Sequence, residues 1–137
     1  MTLSADDKRA LSGIRFEKAQ AALDDARANL EQGRLNTSVN RSYYAALAAV
    51  RSLLILEGVD PASHAGAVTM LSLHFIKTGL LPISIVKHVK TLLSRREDVD
   101  YGDFDSITRD EAQDSVARAE ETLAAVDLLR SRLDAEL

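Results

Sequence analysis

Residues 40–50, NRSYYAALAAV, place one arginine and two adjacent tyrosines beside four alanines, in a chain of 137 residues with only three tyrosines and three phenylalanines. Apolar side chains recur here at helical steps, and successive residues of a helix point about 100° apart. Tyr43 and Tyr44 therefore face different surroundings, and we expect Tyr43 to be a core ring whose hydroxyl is hydrogen-bonded. Because the alanines carry little bulk, the stretch predicts a helix that another helix approaches closely.

Helical periodicity also dominates the rest of the chain, and no segment alternates with the period of two that is typical of a strand. Ser4 with Asp7, and Thr108 with Glu111, have the spacing of a helix-capping box. We predict about five helices: residues 4–33 with a break near 13, a second from a cap at 36, 37 or 38 to 58, then 63–77, 82–96 and a long last helix from 108. Short loops between them indicate one all-α domain, residues 1–137, folded as an antiparallel up-and-down helical bundle.

Composition restricts the classes of function that the chain allows. It has no cysteine, which excludes disulfides and thiolate metal sites, and its three histidines are too widely spaced for a familiar zinc pattern. The N-terminal residues carry acids and lack the apolar core of a secretion signal, and the longest stretch without charged side chains, 61–76, is too short and too polar to span a bilayer. We therefore expect a cytoplasmic protein without metal, cofactor or membrane partner.

Charge is unevenly distributed along the chain, although the net value is only −4. Residues 61–96 contain no acid and hold five basic side chains and all three histidines, whereas acids dominate residues 97–114. Such blocks are commonly the solvated faces of helices. The alternative is a local positive patch that faces phosphate, since the molecule as a whole offers no general attraction to nucleic acid.

Arg41 and Tyr44 share a second stripe of their helix with Ala48 and Arg51. One interpretation is structural: the arginine ties neighbouring helices together, and the tyrosine fills the seam. The other is functional: the arginine holds a phosphate with two hydrogen bonds, and the tyrosine stacks a base or positions a hydroxyl. Spacing alone does not decide between the two.

Several blocks of the sequence together resemble the HEPN family of small helical bundle proteins. In chain order they are NRSYYAAL, VRSLLILEG, SHAGAVTMLSLHFIKTGLL, LLSRREDVDYGDF and ITRDEAQDSVARAEE. The resemblance implies an α-helical bundle, frequent homodimers and association with nucleic acid or nucleotides. It also implies, in many cases, a small nucleotidyltransferase partner in a toxin–antitoxin pair.

Many members of this family carry an arginine followed after four to six residues by a histidine, and two such sites meet in a dimer and cut RNA without a metal. This chain departs from that pattern, because Tyr101 lies five residues beyond Arg96 and no histidine follows. A tyrosine titrates near ~10 and is a poorer base at neutral pH than a histidine. By resemblance, Arg96 and Tyr101 are the candidate catalytic residues. Tyr101 is alternatively a target of nucleotidylation by the partner, or a loop residue packed over the end of the fourth helix.

The resemblance also covers His64, in SHAG, and Arg95. Together with Arg41 and Tyr44, these two are the candidate nucleotide- or phosphate-binding residues. His64 is alternatively a capping or hydrogen-bonding residue at the start of the third helix. We expect His88 to lie on exposed basic surface.

Three hypotheses of function follow. The leading one is a nucleotide- or RNA-binding homodimer that forms one component of a toxin–antitoxin pair with a nucleotidyltransferase. The alternatives are a metal-independent ribonuclease toxin that uses the same arginines, and a purely structural or antitoxin-like interaction protein. Both binding and cleavage require that Arg41 and Arg96, from the second and fourth helices, converge on one cleft.

Overall fold

The residues that the structure describes form five α-helices, which confirms the predicted all-α bundle. The computed structural model describes residues 2–102 and 107–137. The helices are α1, Ala5–Glu31; α2, Leu35–Leu54; α3, His64–Leu71; α4, Ile83–Tyr101; and α5, Arg109–Glu136. A 3₁₀ turn, Ile55–Glu57, extends α2, and a π-helical turn, Ser72–Ile76, extends α3. Within the described residues, none of these helices has the length and apolarity to cross a bilayer.

Both predicted capping boxes are present. Before α1, the Asp7 N–H donates to Ser4 Oγ at 3.0 Å, and the Ser4 N–H donates to the Asp7 carboxylate at 3.3 Å. Before α5, the Glu111 N–H donates to Thr108 Oγ1 at 3.1 Å, and the Thr108 N–H donates to Glu111 Oε1 at 3.1 Å. These bonds pair N–H groups that a helix start leaves without partners. An aspartate at the third position therefore completes the box as a glutamate does.

The predicted start of α2 is wrong, because the three expected cap residues lie inside its first turn. The N-cap is Arg34, which makes no side-chain hydrogen bond to the helix. Ser38 instead donates from its hydroxyl to the carbonyl oxygen of Ala26 on α1, at 2.7 Å, and is fully buried. Packing against α1, rather than a local cap, thus stabilises this end of α2.

The predicted break in α1 and the predicted end of α4 are also wrong. α1 continues through Gly13, where an added Cβ would meet no neighbour within 4 Å. The only cost of a continuous helix at this position is the lower stability that glycine gives to a helix relative to alanine. α4 continues past Arg96 and ends at Tyr101, so the first residue of the predicted loop 101–107 is helical. The rest of that loop falls largely on residues 103–106, which lie outside the described residues.

α2 is the central helix of the bundle and packs against each of the other four. Its alanines Ala45, Ala46 and Ala49 are fully buried, which confirms the close helix approach predicted for residues 40–50. Tyr43 and Leu53 are equally buried and fill the larger spaces along the same helix. Because α2 is enclosed in this way, side chains from α3 and α4 meet on one of its faces, beside the two tyrosines.

Candidate functional site

The candidate site centres on Tyr44, where α2 faces α4. The guanidinium Cζ of Arg41 lies 5.6 Å from the centre of the Tyr44 ring, and that of Arg96 lies 5.7 Å from it. Both distances are within the range of cation–π attraction. Arg96 also donates from Nη2 to the Tyr44 hydroxyl at 3.3 Å. The fold therefore brings both arginines to one aromatic side chain, as the binding hypotheses require.

His64 reaches the same place from the start of α3. Its ring centre lies 5.4 Å from that of Tyr43 and 6.3 Å from that of Tyr44. The cap of α3 is Ser63, whose Oγ accepts the N–H of Gly66 at 2.9 Å, so capping is not the role of His64. Four of the six predicted site residues thus lie together. Their part in binding stays a prediction.

Burial and two arginines set the electrostatics of this site. Burial, and then the charges of Arg96 and Arg51, lower the pKa of His64 from its usual 6.5, so the imidazole is mostly neutral at pH 7. Burial also raises the pKa of Tyr43 to about 12, although the charge of Arg96 opposes this. Among the described residues, Asp100 is the carboxylate partner of Arg96, whose Nε lies 2.9 Å from Asp100 Oδ2. The site therefore holds a neutral base, an un-ionised phenol and permanent positive charge.

Six buried polar side-chain atoms of the described residues have no hydrogen-bond partner, and four of them belong to residues beside Tyr44, namely Arg41, Tyr43, Arg51 and Arg96. Within the described residues the six atoms are Asn36 Oδ1, Arg41 Nε, Ser42 Oγ, Tyr43 Oη, Arg51 Nε and Arg96 Nε. The first five belong to α2, and Arg96 belongs to α4. Arg96 Nε lies close to the Asp100 carboxylate, but its N–H does not point at the carboxylate oxygen as a hydrogen bond requires. Folded proteins leave few buried polar groups unpaired, so such a concentration needs an explanation, and a binding site is one. None of the described residues forms a hydrogen bond with the Tyr43 hydroxyl, so the prediction that this hydroxyl is hydrogen-bonded is wrong.

Arg95, a predicted phosphate-binding residue, is held by α5 and is not part of the Tyr44 site. Its Nη1 lies 2.7 Å from Asp114 Oδ2, 3.0 Å from Ser115 Oγ and 3.3 Å from the carbonyl oxygen of Glu111. Arg95 and Arg96 are consecutive on α4 and so project about 100° apart. This angle sends one guanidinium to α5 and the other to α2.

Tyr101, the predicted partner of Arg96, is the last residue of α4 and is 79% exposed. No hydrogen bond joins its hydroxyl to another side chain in the part of the chain that the structure describes. Its phenol still belongs to the electrostatic surroundings of Arg96. Tyr101 is therefore an accessible neighbour of the site rather than one of its buried members.

The expectation that His88 lies on exposed basic surface is wrong. Its side chain is only 13% exposed, with Nε2 2.6 Å from Glu121 Oε2 and Nδ1 3.0 Å from Arg118 Nη1. An arginine only donates, so Nδ1 accepts and Nε2 carries the proton that is donated to Glu121. His88 thus helps to join α4 to α5, away from Tyr44.

Sequence reasoning missed Arg51 and Asp100 as members of the site. Arg51 lies two turns after Tyr44 on the stripe that also holds Arg41, and that spacing was the available signal. Asp100 lies four residues after Arg96, which is the spacing of an ion pair along a helix. Neither pattern reveals which neighbouring helix the side chain faces.

The chain is similar to known proteins in sequence. A Thermotoga maritima protein named "UPF0332 protein" is 31% identical over 112 residues, which cover 82% of this chain and 85% of that protein. A Methanocaldococcus jannaschii protein named "Putative toxin MJ0142" is 27% identical over 106 residues, which cover 77% of this chain and 71% of that protein.

The chain is also similar to a solved structure and to a family model. The crystal structure of TT1696 from Thermus thermophilus superposes with a TM-score of 0.73 over 85% of this chain and 95% of that one; at 23% identity, this supports the fold alone. The model of the HEPN domain matches residues 13–129, which include every helix that contributes to the Tyr44 site. Because that match covers most of the chain, the protein belongs to the HEPN family.

Proposed function

We propose that this protein binds the phosphate of a nucleotide or of RNA at the Tyr44 site, as the toxin of a toxin–antitoxin pair. The observation that carries the proposal is the convergence of Arg41 and Arg96 on the Tyr44 ring, beside polar atoms of Tyr43 and Arg51 that have no hydrogen-bond partner in the described residues. Guanidinium groups bind phosphate oxygens through charge-assisted hydrogen bonds, and both arginines are only partly buried, so a phosphate can reach them. The toxin role is supported by relatives that carry the word toxin in their names.

The charge distribution supports a local site rather than a general affinity for polyanions. The chain carries a net charge of −4, so distant parts of the molecule repel nucleic acid. Residues 61–96, which contribute His64 and Arg96, contain no acid at all. Binding at this site should therefore depend steeply on salt and on a few arginines.

The test is binding of labelled single-stranded RNA and of AMP between about 50 and 200 mM salt. The variant carries both Arg41→Ala and Arg96→Ala. Its matched control carries Lys87→Ala and Arg132→Ala, which remove the same charge from exposed positions on α4 and α5. Loss of two phosphate contacts should flatten the logarithmic salt slope for RNA by roughly 1.4. If wild type fails to bind at the lowest salt, or if the site variant matches its control, the proposal is refuted.

A second candidate function, metal-independent RNA cleavage, is favoured by His64. Although no histidine follows Arg96 in sequence, the fold places His64 beside Arg96 and keeps it mostly neutral at pH 7, as a general base requires. In this scheme His64 takes the proton of a ribose 2′-hydroxyl, and that oxygen forms a bond to phosphorus. The bond from phosphorus to the 5′ oxygen breaks, the leaving oxygen takes a proton from water, and Arg96 stabilises the charge on the phosphate.

Cleavage of RNA in the presence of EDTA tests this scheme. We expect His64→Ala and Arg96→Ala to abolish cleavage and Tyr101→Phe to leave most of it, because Tyr101 is the exposed end of α4. Activity that survives in His64→Ala would exclude His64 as the base. Activity that is lost only in Tyr101→Phe would instead support Tyr101 as the catalytic partner of Arg96, as the sequence suggests.

We also propose that a nucleotidyltransferase partner modifies Tyr101 and that the protein is a homodimer. At 79% exposure the phenol is accessible, so its oxygen could attack the α-phosphorus of a nucleoside triphosphate and release pyrophosphate. Co-expression with the candidate partner should add the mass of a nucleotidyl group to wild type and not to Tyr101→Phe. Light scattering that gives the mass of one chain would rule out the homodimer.

A further inference from the structure

A second cleft, of about 440 Å³, lies directly beside the Tyr44 site. It is bounded by α1, α2 and residues 60–62, and Tyr44 forms part of its wall. Three basic side chains line it, Arg15, Lys18 and Arg51, together with one carboxylate, Asp60. The cleft is therefore positively charged in a chain that is acidic as a whole.

The Arg15 guanidinium is held in this cleft by a carboxylate with two hydrogen bonds. Arg15 Nη1 donates to Asp60 Oδ1 at 3.0 Å, and Nη2 donates to Asp60 Oδ2 at 3.2 Å. The Asp60 side chain is 53% exposed, so water weakens the pair. A phosphate presents two oxygens in the same fork geometry and carries more charge. Arg15 is thus oriented to exchange one anion for another.

The other two cations of the cleft are less well paired. Arg51 donates to the carbonyl oxygen of Ala62 at 3.5 Å, which is the long limit of a hydrogen bond, and its buried Nε has no partner in the described residues. Lys18 is exposed, and none of the described carboxylates lies within 4.0 Å of its ammonium group. Both cations can therefore accept an anion without breaking an existing ion pair.

The cleft is continuous with the Tyr44 site through shared side chains. Tyr44 faces the cleft on one side and accepts a hydrogen bond from Arg96 on the other. Arg51 and Arg96 both act electrostatically on His64. An anion in the cleft and an anion at Arg96 would thus occupy neighbouring positions along α2.

We infer that this cleft is a second phosphate-binding subsite, which takes a further phosphate of the ligand whose first phosphate lies at Arg41 and Arg96. The inference rests on the proposed function, because it extends the same site. Asp60 restricts entry to the subsite by competing for Arg15. The ligand class is consequently one with consecutive phosphates, either the phosphodiesters of a nucleic acid strand or the polyphosphate of a nucleoside triphosphate.

The subsite is tested by comparing AMP, ATP and a short single-stranded RNA as ligands. The variants are Lys18→Gln and Arg15→Gln, and the matched control is Arg132→Gln, which removes one charge from the exposed face of α5. Loss of a charged contact should weaken the multi-phosphate ligand about tenfold and leave AMP unchanged. A loss for RNA alone identifies a strand as the ligand, and a loss for ATP alone identifies a nucleotide polyphosphate.

Asp60→Asn gives a test with the opposite sign. Removing the competing carboxylate should tighten binding of the multi-phosphate ligand severalfold, whereas Asp127→Asn, the same change beside Arg130 on α5, should not. Cleft variants that equal their controls while wild type binds would overturn the subsite and leave the proposed function intact. Cleft variants that weaken AMP as strongly as RNA would also overturn it. If wild type binds none of the three ligands, both proposals fail.

Discussion

Replacing Tyr43 by phenylalanine removes a hydroxyl that is fully buried and has no hydrogen-bond partner among the described residues. Burying such a group without a partner costs about 1–3 kcal/mol, and phenylalanine keeps the ring that fills the core. We therefore expect Tyr43→Phe to stabilise the protein by about 1 kcal/mol. For a chain of this length, that corresponds to a rise in Tm of roughly 3–4 °C.

Tyr44→Phe is the matched control, because it removes the same atom one residue later. The Tyr44 hydroxyl accepts a hydrogen bond from Arg96 at 3.3 Å, so its loss should destabilise the protein. Tyr44 is only partly buried, and water can replace part of the bond. The expected cost is about 0.5–1.5 kcal/mol. The two substitutions should thus shift stability in opposite directions.

Thermal and urea unfolding, followed by far-ultraviolet circular dichroism, measure both variants against wild type. Destabilisation by about 1 kcal/mol or more in Tyr43→Phe would mean that the hydroxyl is bonded in the folded protein. That result would refute the reasoning that the Tyr43 hydroxyl is buried without a partner.

Three further predictions concern pH, packing and the role of Arg95. The folded pKa of His64 is lowered from 6.5, so its contribution to stability is present above that pH and is lost as the pH falls. Wild type should therefore lose stability relative to His64→Gln between about pH 7 and 5, as measured by urea titrations of both proteins. Leu53→Ala, at a fully buried position on α2, should cost about 2–5 kcal/mol in urea unfolding. Arg95→Ala should lower stability by about 1 kcal/mol, because its ion pair with the half-exposed Asp114 is lost. RNA binding should be unchanged in the titration that is used for Arg96→Ala. Equal loss of binding in both variants would contradict the assignment of Arg95 to the contact with α5.

Local sequence patterns were sufficient to predict the helices and the caps of α1 and α5. The boxes at Ser4 and Thr108 are formed by residues three apart, so their geometry depends on no distant part of the chain. The small side chains of residues 40–50 likewise predict close packing, because size alone limits how near two backbones come. The start of α2 was mispredicted since Ser38 has a better acceptor on α1 than on its own helix.

The composition of the site was decided by the tertiary structure. Helical spacing places Arg41, Tyr44 and Arg51 on one stripe, yet it does not say which helix faces that stripe. The sequence does not distinguish the roles of the adjacent residues Arg95 and Arg96. Because α4 packs between α2 and α5, Arg95 contacts Asp114 and Arg96 contacts Tyr44.

His64 shows the same limit over a longer distance. It lies 32 positions before Arg96, and the loop before α3 and the packing of α3 on α2 bring its ring to the tyrosines. The sequence by itself determined that the chain is helical, the capped starts of α1 and α5, and the number of cationic side chains. Tertiary packing alone decided which of those cations share a cleft, because the rotation of each helix about its axis is set by the core that the whole chain buries.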